Sequence, residues 1–195
     1  SSIDDYKANT EGTRNLIKVL ENLEDVSRVI FASSRLVCKI GHTPIAEDDY
    51  SATTSYGLSK VMMEKDIRRL CRDAAYDWLI FRPTSIWGPW FGEPYRDFFD
   101  VVASGKYFHP LGIKITKSFG YVGNAVYLLE KVISSTTSLQ KNTIYLTDFV
   151  NIDVLDWANL IRKKMGKSNV RQVPLIFLRG VASFGSCIEW VGFKR

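Results

Sequence analysis

Two short apolar runs of β type bracket a long helical stretch. That alternation limits the fold more than any other feature of the sequence. Val-Ser-Arg-Val-Ile-Phe-Ala, residues 26–32, and Trp-Leu-Ile-Phe, residues 78–81, have strand length and are rich in branched and aromatic side chains. Between them, from about Tyr56 to Ala75, Leu58, Val61, Met62, Leu70, Cys71 and Ala74 supply the apolar positions of a helix. Strand, helix and strand in this order indicate a parallel α/β sheet with covering helices.

The flanking sequence extends this pattern. Tyr6 to Leu23 reads as a helix, with Leu16, Ile17, Leu20 and Leu23 at helical spacing. Arg35 to Thr54 is mostly loop, carrying Gly41, Pro44 and the acidic Glu47-Asp48-Asp49. From Ser85 the texture changes to a loop with Trp87, Gly88, Pro89, Trp90, Phe91, Gly92 and Tyr95, of a kind that often lines binding sites. Further on, Arg96–Ser104 and Asn124–Ile133 are expected as helices, and Phe119–Val122 and Thr143–Thr147 as strands. Ile152–Met165 is a strongly amphipathic helix, and the segment after Pro174 is expected to be helical to about Ile188.

The chemistry centres on Ser-Tyr-Gly-Leu-Ser-Lys, residues 55–60. On a helix, Tyr56 and Lys60 lie one turn apart on one face. A phenol with a pKa of about 10 is a poor proton-transfer group at neutral pH. A nearby ammonium favours the phenolate and lowers that value. The spacing alone is weak evidence, because Tyr127 and Lys131 repeat it inside an ordinary amphipathic helix and read as structural. Tyr56 differs in context: it opens a helix after a turn-rich loop, 22 residues beyond Ser34 at a strand end. In open α/β sheets the ligand crevice lies beyond the carboxyl ends of the strands. Ser34, Tyr56 and the loop from Arg82 to Gly88 would meet there. By itself, Ser34 could equally cap a strand-to-loop turn.

These residues form four ordered motifs: Asn9-Thr-Glu-Gly-Thr13, Phe31-Ala-Ser-Ser-Arg-Leu-Val37, Tyr56-Gly-Leu-Ser-Lys60 and Phe81-Arg-Pro-Thr-Ser-Ile-Trp-Gly-Pro89. In order and spacing the chain resembles the extended short-chain dehydrogenase/reductases, in particular the NAD-dependent nucleotide-sugar epimerase/dehydratase family. The resemblance implies a partial Rossmann-type parallel sheet with flanking helices over residues 1–84. It also implies a mixed region over residues 85–195, with substrate-binding loops, a small C-terminal subdomain and returning Rossmann elements. It makes Ser34, Tyr56 and Lys60 catalytic: Tyr56 as acid/base at the sugar hydroxyl, Lys60 on the nicotinamide ribose, and Ser34 orienting the reacting hydroxyl. Asn9, Tyr56, Lys60, Pro83 and Thr84 would contact the cofactor, NAD with NADP as the alternative. Ser34, Ser85 and Lys117 would contact a nucleotide-sugar substrate, Lys117 standing where the family often has an arginine for the phosphates.

Three positions depart from the family pattern: Ser85 for the usual Asn, Cys38-Lys39 for Tyr-Gly, and Gly123-Asn124 for an Asp pair. None of the 13 glycines forms G-x-G-x-x-G, and no Walker-type loop is present. The resemblance begins in the middle of a Rossmann-type domain. The expectation is therefore an N-terminally truncated fragment, with the dinucleotide loop upstream, that alone binds NAD poorly and turns over little.

Composition narrows the alternatives. A hydrophobic content of 46% suffices for a core, and no apolar run reaches membrane-spanning length. The net charge of +5 comes largely from scattered basic residues and helical faces such as Lys65, Arg68, Arg69 and Arg72, which read first as solvated faces and second as anion sites. No nucleic-acid-binding pattern is present. Cys38, Cys71 and Cys187 form no disulfide framework and, with the isolated His42 and His109, no metal set. Free thiols suggest a cytoplasmic setting. The resemblance also implies a homodimer through the helices at 6–23 and 56–75, with an exposed apolar stripe including Met63 and Ile67. Rival readings are an NADPH-dependent reductase of the same superfamily and a non-catalytic NAD-sensing or scaffold protein on this fold.

Overall fold

The computed structural model describes residues 2–93, 95–139, 142–148 and 151–178. The expected helix after Pro174 is helical over its described residues, 175–178, and the rest of that segment lies outside the described residues, as does Cys187. The chain divides into two compact units, Ser1–Gly88 with Gly120–Asp148, and Pro89–Phe119 with Phe149–Arg195.

The first unit is built on a three-stranded sheet of β1 (Arg28–Ala32), β2 (Asp77–Pro83) and β7 (Asn142–Leu146), in the order β1-β2-β7. Both pairings are parallel, with Ala32 opposite Phe81 and Phe81 opposite Ile144. Such connections need crossover helices. α1 (Lys7–Leu20) precedes β1, α2 (Ser55–Leu70) joins β1 to β2, and α4 (Val122–Ser134) leads into β7.

The alternation of side chains along β2 divides the core between the two faces of the sheet. Trp78 and Ile80 pack with Phe31 of β1 and with Ile17, Leu20, Met63 and Ile67 of α1 and α2. Leu79 and Phe81 pack with Val132 of α4 and Leu146 of β7. This is the expected parallel α/β arrangement. A short strand β3 (Ser85–Trp87) pairs with β6 (Phe119–Tyr121), which leads directly into α4. Trp87 and Tyr121 contact each other with ring centroids 5.1 Å apart.

The expectation that Met63 and Ile67 line an exposed stripe is corrected here. They are 4% and 0% exposed, sealed between α1 and the sheet. The apolar residues that these helices do expose include Leu16, Val19, Leu58 and Met62.

The second unit contains α3 (Tyr95–Ser104) and α5 (Val154–Lys164). β4 (Phe108–Pro110) runs parallel to β9 (Arg171–Val173), and β5 (Thr116–Lys117) antiparallel to β8 (Ile152–Asp153). Asp153 caps α5 by accepting from the amides of Leu155 and Asp156. Its core joins Val102, Ala158 and Val170 to an aromatic cluster of Phe98, Phe99, Tyr107, Phe119 and Trp157. His109 is buried with both ring nitrogens engaged, by the Tyr107 hydroxyl at 3.0 Å and the Ile113 carbonyl at 2.9 Å.

Candidate active site

The carboxyl end of β1 and the start of α2 form one structure. After Ala32 the chain remains tied to β2, because the Ser33 amide donates to the Phe81 carbonyl at 2.6 Å. Ser34 is buried and starts the short 3-10 turn Arg35–Val37, its Oγ accepting from the Leu36 amide at 3.1 Å. The capping reading of Ser34 therefore holds for its local bond; this bond uses one lone pair of the hydroxyl and leaves its proton to donate elsewhere.

Thr54 caps α2, its Oγ1 accepting from the Gly57 amide at 3.0 Å. Gly57 makes the close approach possible. A Cβ there would lie 2.3 Å from the Leu36 carbonyl oxygen. With no side chain at this position, the first turn of α2 rests directly on the turn that Ser34 begins. Tyr56 lies half-buried on that first turn, its ring centroid 5.6 Å from that of Tyr6.

Lys60 lies one turn further along α2 and is 9% exposed. Its Nζ donates to the Ala32 carbonyl at 2.8 Å, sits 3.8 Å from Met63 Sδ and lies 5.9 Å from the centroid of the Tyr56 ring. Burial pushes the ammonium pKa down, and the charge of Glu64 opposes that shift. Asn9 on α1 donates to Ser59 Oγ at 3.0 Å, and Ser59 donates to the Tyr56 carbonyl at 2.7 Å. Asn9 is thereby linked to the backbone of the tyrosine.

Pro83 and Thr84 stand at the carboxyl end of β2, the strand next to β1. The Thr84 amide and hydroxyl both donate to the Leu146 carbonyl at 3.1 Å. Ser85 follows on β3 and is half-buried. The first unit thus holds Asn9, Ser34, Tyr56, Lys60, Pro83, Thr84 and Ser85. Lys117 stands on β5 in the second unit, its Nζ 5.0 Å from the Phe119 ring centroid.

Behind these residues is a network that the sequence reading missed. Arg82 and Glu64 are both fully buried and form a bidentate pair, Nε to Oε1 at 2.9 Å and Nη2 to Oε2 at 2.6 Å. Ser33 and Tyr50 donate to the same carboxylate, and Arg82 donates to the Tyr145 hydroxyl at 2.8 Å. Burial raises the Tyr50 phenol, and Glu64 adds to the effect. A signal existed in the sequence: Arg82 interrupts an apolar strand and Glu64 falls on the buried face of α2. A charge at either position needs a partner. Where the family pattern has an Asp pair, Asn124 donates to Asp148 Oδ1 at 2.8 Å, and Asp148 Oδ2 accepts from the Tyr121 amide at 3.0 Å.

The sequence and the fold match known proteins. The sequence profile of the NAD dependent epimerase/dehydratase family matches residues 1–145. UDP-glucose 4-epimerase of Vibrio cholerae is 33% identical over 103 residues, which is 51% of this chain and 31% of that protein. Among solved structures, UDP-glucuronic acid 4-epimerase from Bacillus cereus in complex with NAD superimposes with a TM-score of 0.73 at 16% identity, covering 88% of this chain and 58% of that one. dTDP-glucose 4,6-dehydratase from Bacillus anthracis in complex with NAD gives 0.67 at 11% identity, covering 87% and 56%. The chain spans less than two thirds of the length of each of these proteins. With the parallel sheet, the strand-end serine and the helix-start tyrosine in place, the profile match over most of the sequence assigns the chain: it belongs to the NAD dependent epimerase/dehydratase family.

Proposed function

We propose that this chain carries the proton-transfer centre of an NAD-dependent nucleotide-sugar epimerase or dehydratase, with Tyr56 as the acid/base, Lys60 as its electrostatic partner and Ser34 as the orienting hydroxyl. One observation carries the reading: Lys60 is a buried ammonium fixed to the Ala32 carbonyl, one turn from Tyr56. A cation held beside a phenol favours its ionised form. Retaining a buried ammonium costs stability, and this placement gives it a use.

The residues present suit a dinucleotide. The Lys60 ammonium has three protons. One goes to Ala32, and Met63 sulfur is a weak acceptor, so the ammonium can still donate to ribose hydroxyls. Asn9, Pro83 and Thr84 would line the same ligand. When bound, the nicotinamide supplies the hydride acceptor and donor. Tyr56 would take the proton of the sugar hydroxyl as the carbon is oxidised and return it on reduction. Ser34 would donate to the same oxygen, and Ser85 would contact the substrate from the first unit. The relatives named for UDP-glucose, UDP-glucuronic acid and dTDP-glucose suggest the substrate class. A homodimer through α1 and α2 is supported by the apolar residues they expose. The buried free thiols of Cys38 and Cys71 support a cytoplasmic setting.

The test is turnover of UDP-glucose, UDP-glucuronic acid and dTDP-glucose by the full-length protein with NAD and no external reductant. Tyr56→Phe should lower turnover of the accepted substrate by roughly 10²–10⁴. Undiminished turnover in that variant would refute the assignment. A strict requirement for NADPH would favour the reductase reading.

A further inference from the structure

The second half of α2 presents a charged surface that the proposed chemistry does not use. Lys65, Arg68 and Arg69 lie at helical spacing on the last turns of α2, and Arg72 follows in the turn just beyond its end. With Asp48 and Tyr50 they line a cleft of about 670 Å³. That volume lies within the ~300–1,000 Å³ common for small-molecule sites. Four cations and one carboxylate face it. At about 1.5 Å per residue, Arg68 is roughly 12 Å along the helix from Lys60, and Arg72 lies beyond the helix end, so the cleft is separate from the proton-transfer centre.

The cations fall into two classes. Arg68 is fixed: it donates to Glu47 Oε2 at 2.9 Å, to Thr143 Oγ1 at 2.6 Å and to the Tyr50 hydroxyl at 3.4 Å. Arg69 is tied to Asp66 at 2.9 Å. Lys65 lies over the Tyr50 ring, 5.8 Å from its centroid. Among the described residues, neither Lys65 nor Arg72 forms an ion pair. Like charges at this spacing repel and destabilise a helix. A multiply charged anion in the cleft would remove the repulsion, with the guanidinium planes supplying paired donors to phosphate oxygens.

We propose that this cleft is a binding site for a polyphosphate-bearing small molecule, held by Lys65 and Arg72 against the fixed guanidinium of Arg68. The cations border one open cleft rather than a long track, which suits a compact anion better than an extended strand.

The probe is inorganic tripolyphosphate, titrated calorimetrically into the full chain, with orthophosphate and an oligothymidylate as comparison ligands. Tripolyphosphate should bind at one site and more tightly than orthophosphate. Each of K65Q and R72Q should weaken it by roughly tenfold, about what loss of one charge-assisted contact gives. The double variant K163Q/K164Q, which removes two charges from α5, should leave it unchanged. Lys65 and Arg72 are exposed, so both variants should melt with the parent. Amide exchange on the unaltered chain gives a second reading: tripolyphosphate should protect the last turns of α2. Three results would overturn the proposal: no binding to the parent, equal weakening by K163Q/K164Q, or tighter binding of oligothymidylate through Lys65 and Arg72. The last would assign the surface to nucleic acid.

Discussion

The helices α2 and α4 carry the same tyrosine-lysine spacing, and the pairs themselves are nearly alike. The lysine nitrogen lies 5.9 Å from the ring centroid in Tyr56–Lys60 and 5.3 Å in Tyr127–Lys131. The surroundings differ. Lys60 is 9% exposed and anchored to a strand carbonyl, whereas Tyr127 is 60% exposed on the outer face of α4. α2 is held along its length by a glycine contact, a buried lysine and a buried carboxylate. α4 is held chiefly by one apolar face and by its end, where Arg28 donates to the carbonyls of Val132 and Ser135. What separates the two pairs is what fixes them, not their spacing.

The largest expected effect tests that contrast directly. Lys60→Met should reduce turnover by two or more orders of magnitude, within the ~10²–10⁴ range of acid/base catalysis. Lys131→Met should leave kcat and KM within about twofold, as for an exposed surface substitution. Equal losses in both variants would break the comparison.

The next effect is on stability. Glu64→Gln removes one charge from a fully buried pair and strands Arg82, so unfolding by urea should show a loss of about 3–5 kcal/mol. Glu130→Gln, on the exposed face of α4, should stay within about 0.5 kcal/mol. A small effect at Glu64 would mean that the Tyr145 hydroxyl and the Glu47 carbonyl, to which Arg82 also donates, can hold Arg82 without it.

Glycine offers a milder version of the same test. Gly57→Ala places a methyl group against the Leu36 carbonyl and should cost about 1–3 kcal/mol. Gly123→Ala in α4 puts its methyl group 2.6 Å from Cε1 of the Tyr121 ring, itself packed on Trp87, so a gain of up to about 1 kcal/mol in helix propensity is offset by the displacement of that side chain. Thermal melting should therefore show the larger loss for Gly57→Ala, whose contact is with backbone rather than a side chain.

The smallest effect concerns the anchored end of α4. The hydrogen bond from Arg28, the arginine that closes this helix, holds the Asp77 carboxyl below the ordinary carboxylate range. Its contribution is therefore complete above the unfolded value of about 3.9 and is lost as pH falls through the lower folded value. Acid titration of the melting temperature should show a shallower decline for Asp77→Asn than for the parent.

The sheet and its main helices were readable because their periods are strong. The strand at 78–81 and the helix from Tyr56 appear with shifts of a few residues at their ends. The short strands β4, β5, β8 and β9 were not readable, since two or three residues carry no period. The local sequence also could not tell that Met63 and Ile67 face inward. Their burial depends on α1 crossing that side of α2, a long-range fact. Ser34, Tyr56 and Lys60 were found through their motifs. Glu64, Gly57 and Ser59 were passed over because each is unremarkable until its distant partner is known: Arg82, the Leu36 carbonyl and Asn9.

The Ala32 carbonyl has an evolutionary consequence. The anchor of Lys60 is a main-chain atom on a residue whose own side chain is exposed. Substitutions at position 32 can change that side chain freely and leave the acceptor in place. Only a slip of β1 against β2, which the pairing of Ala32 with Phe81 resists, would move it. The lysine is therefore insulated from drift at its own docking point. A survey of tolerated substitutions should find position 32 permissive and position 60 closed, although the two are joined by a single hydrogen bond.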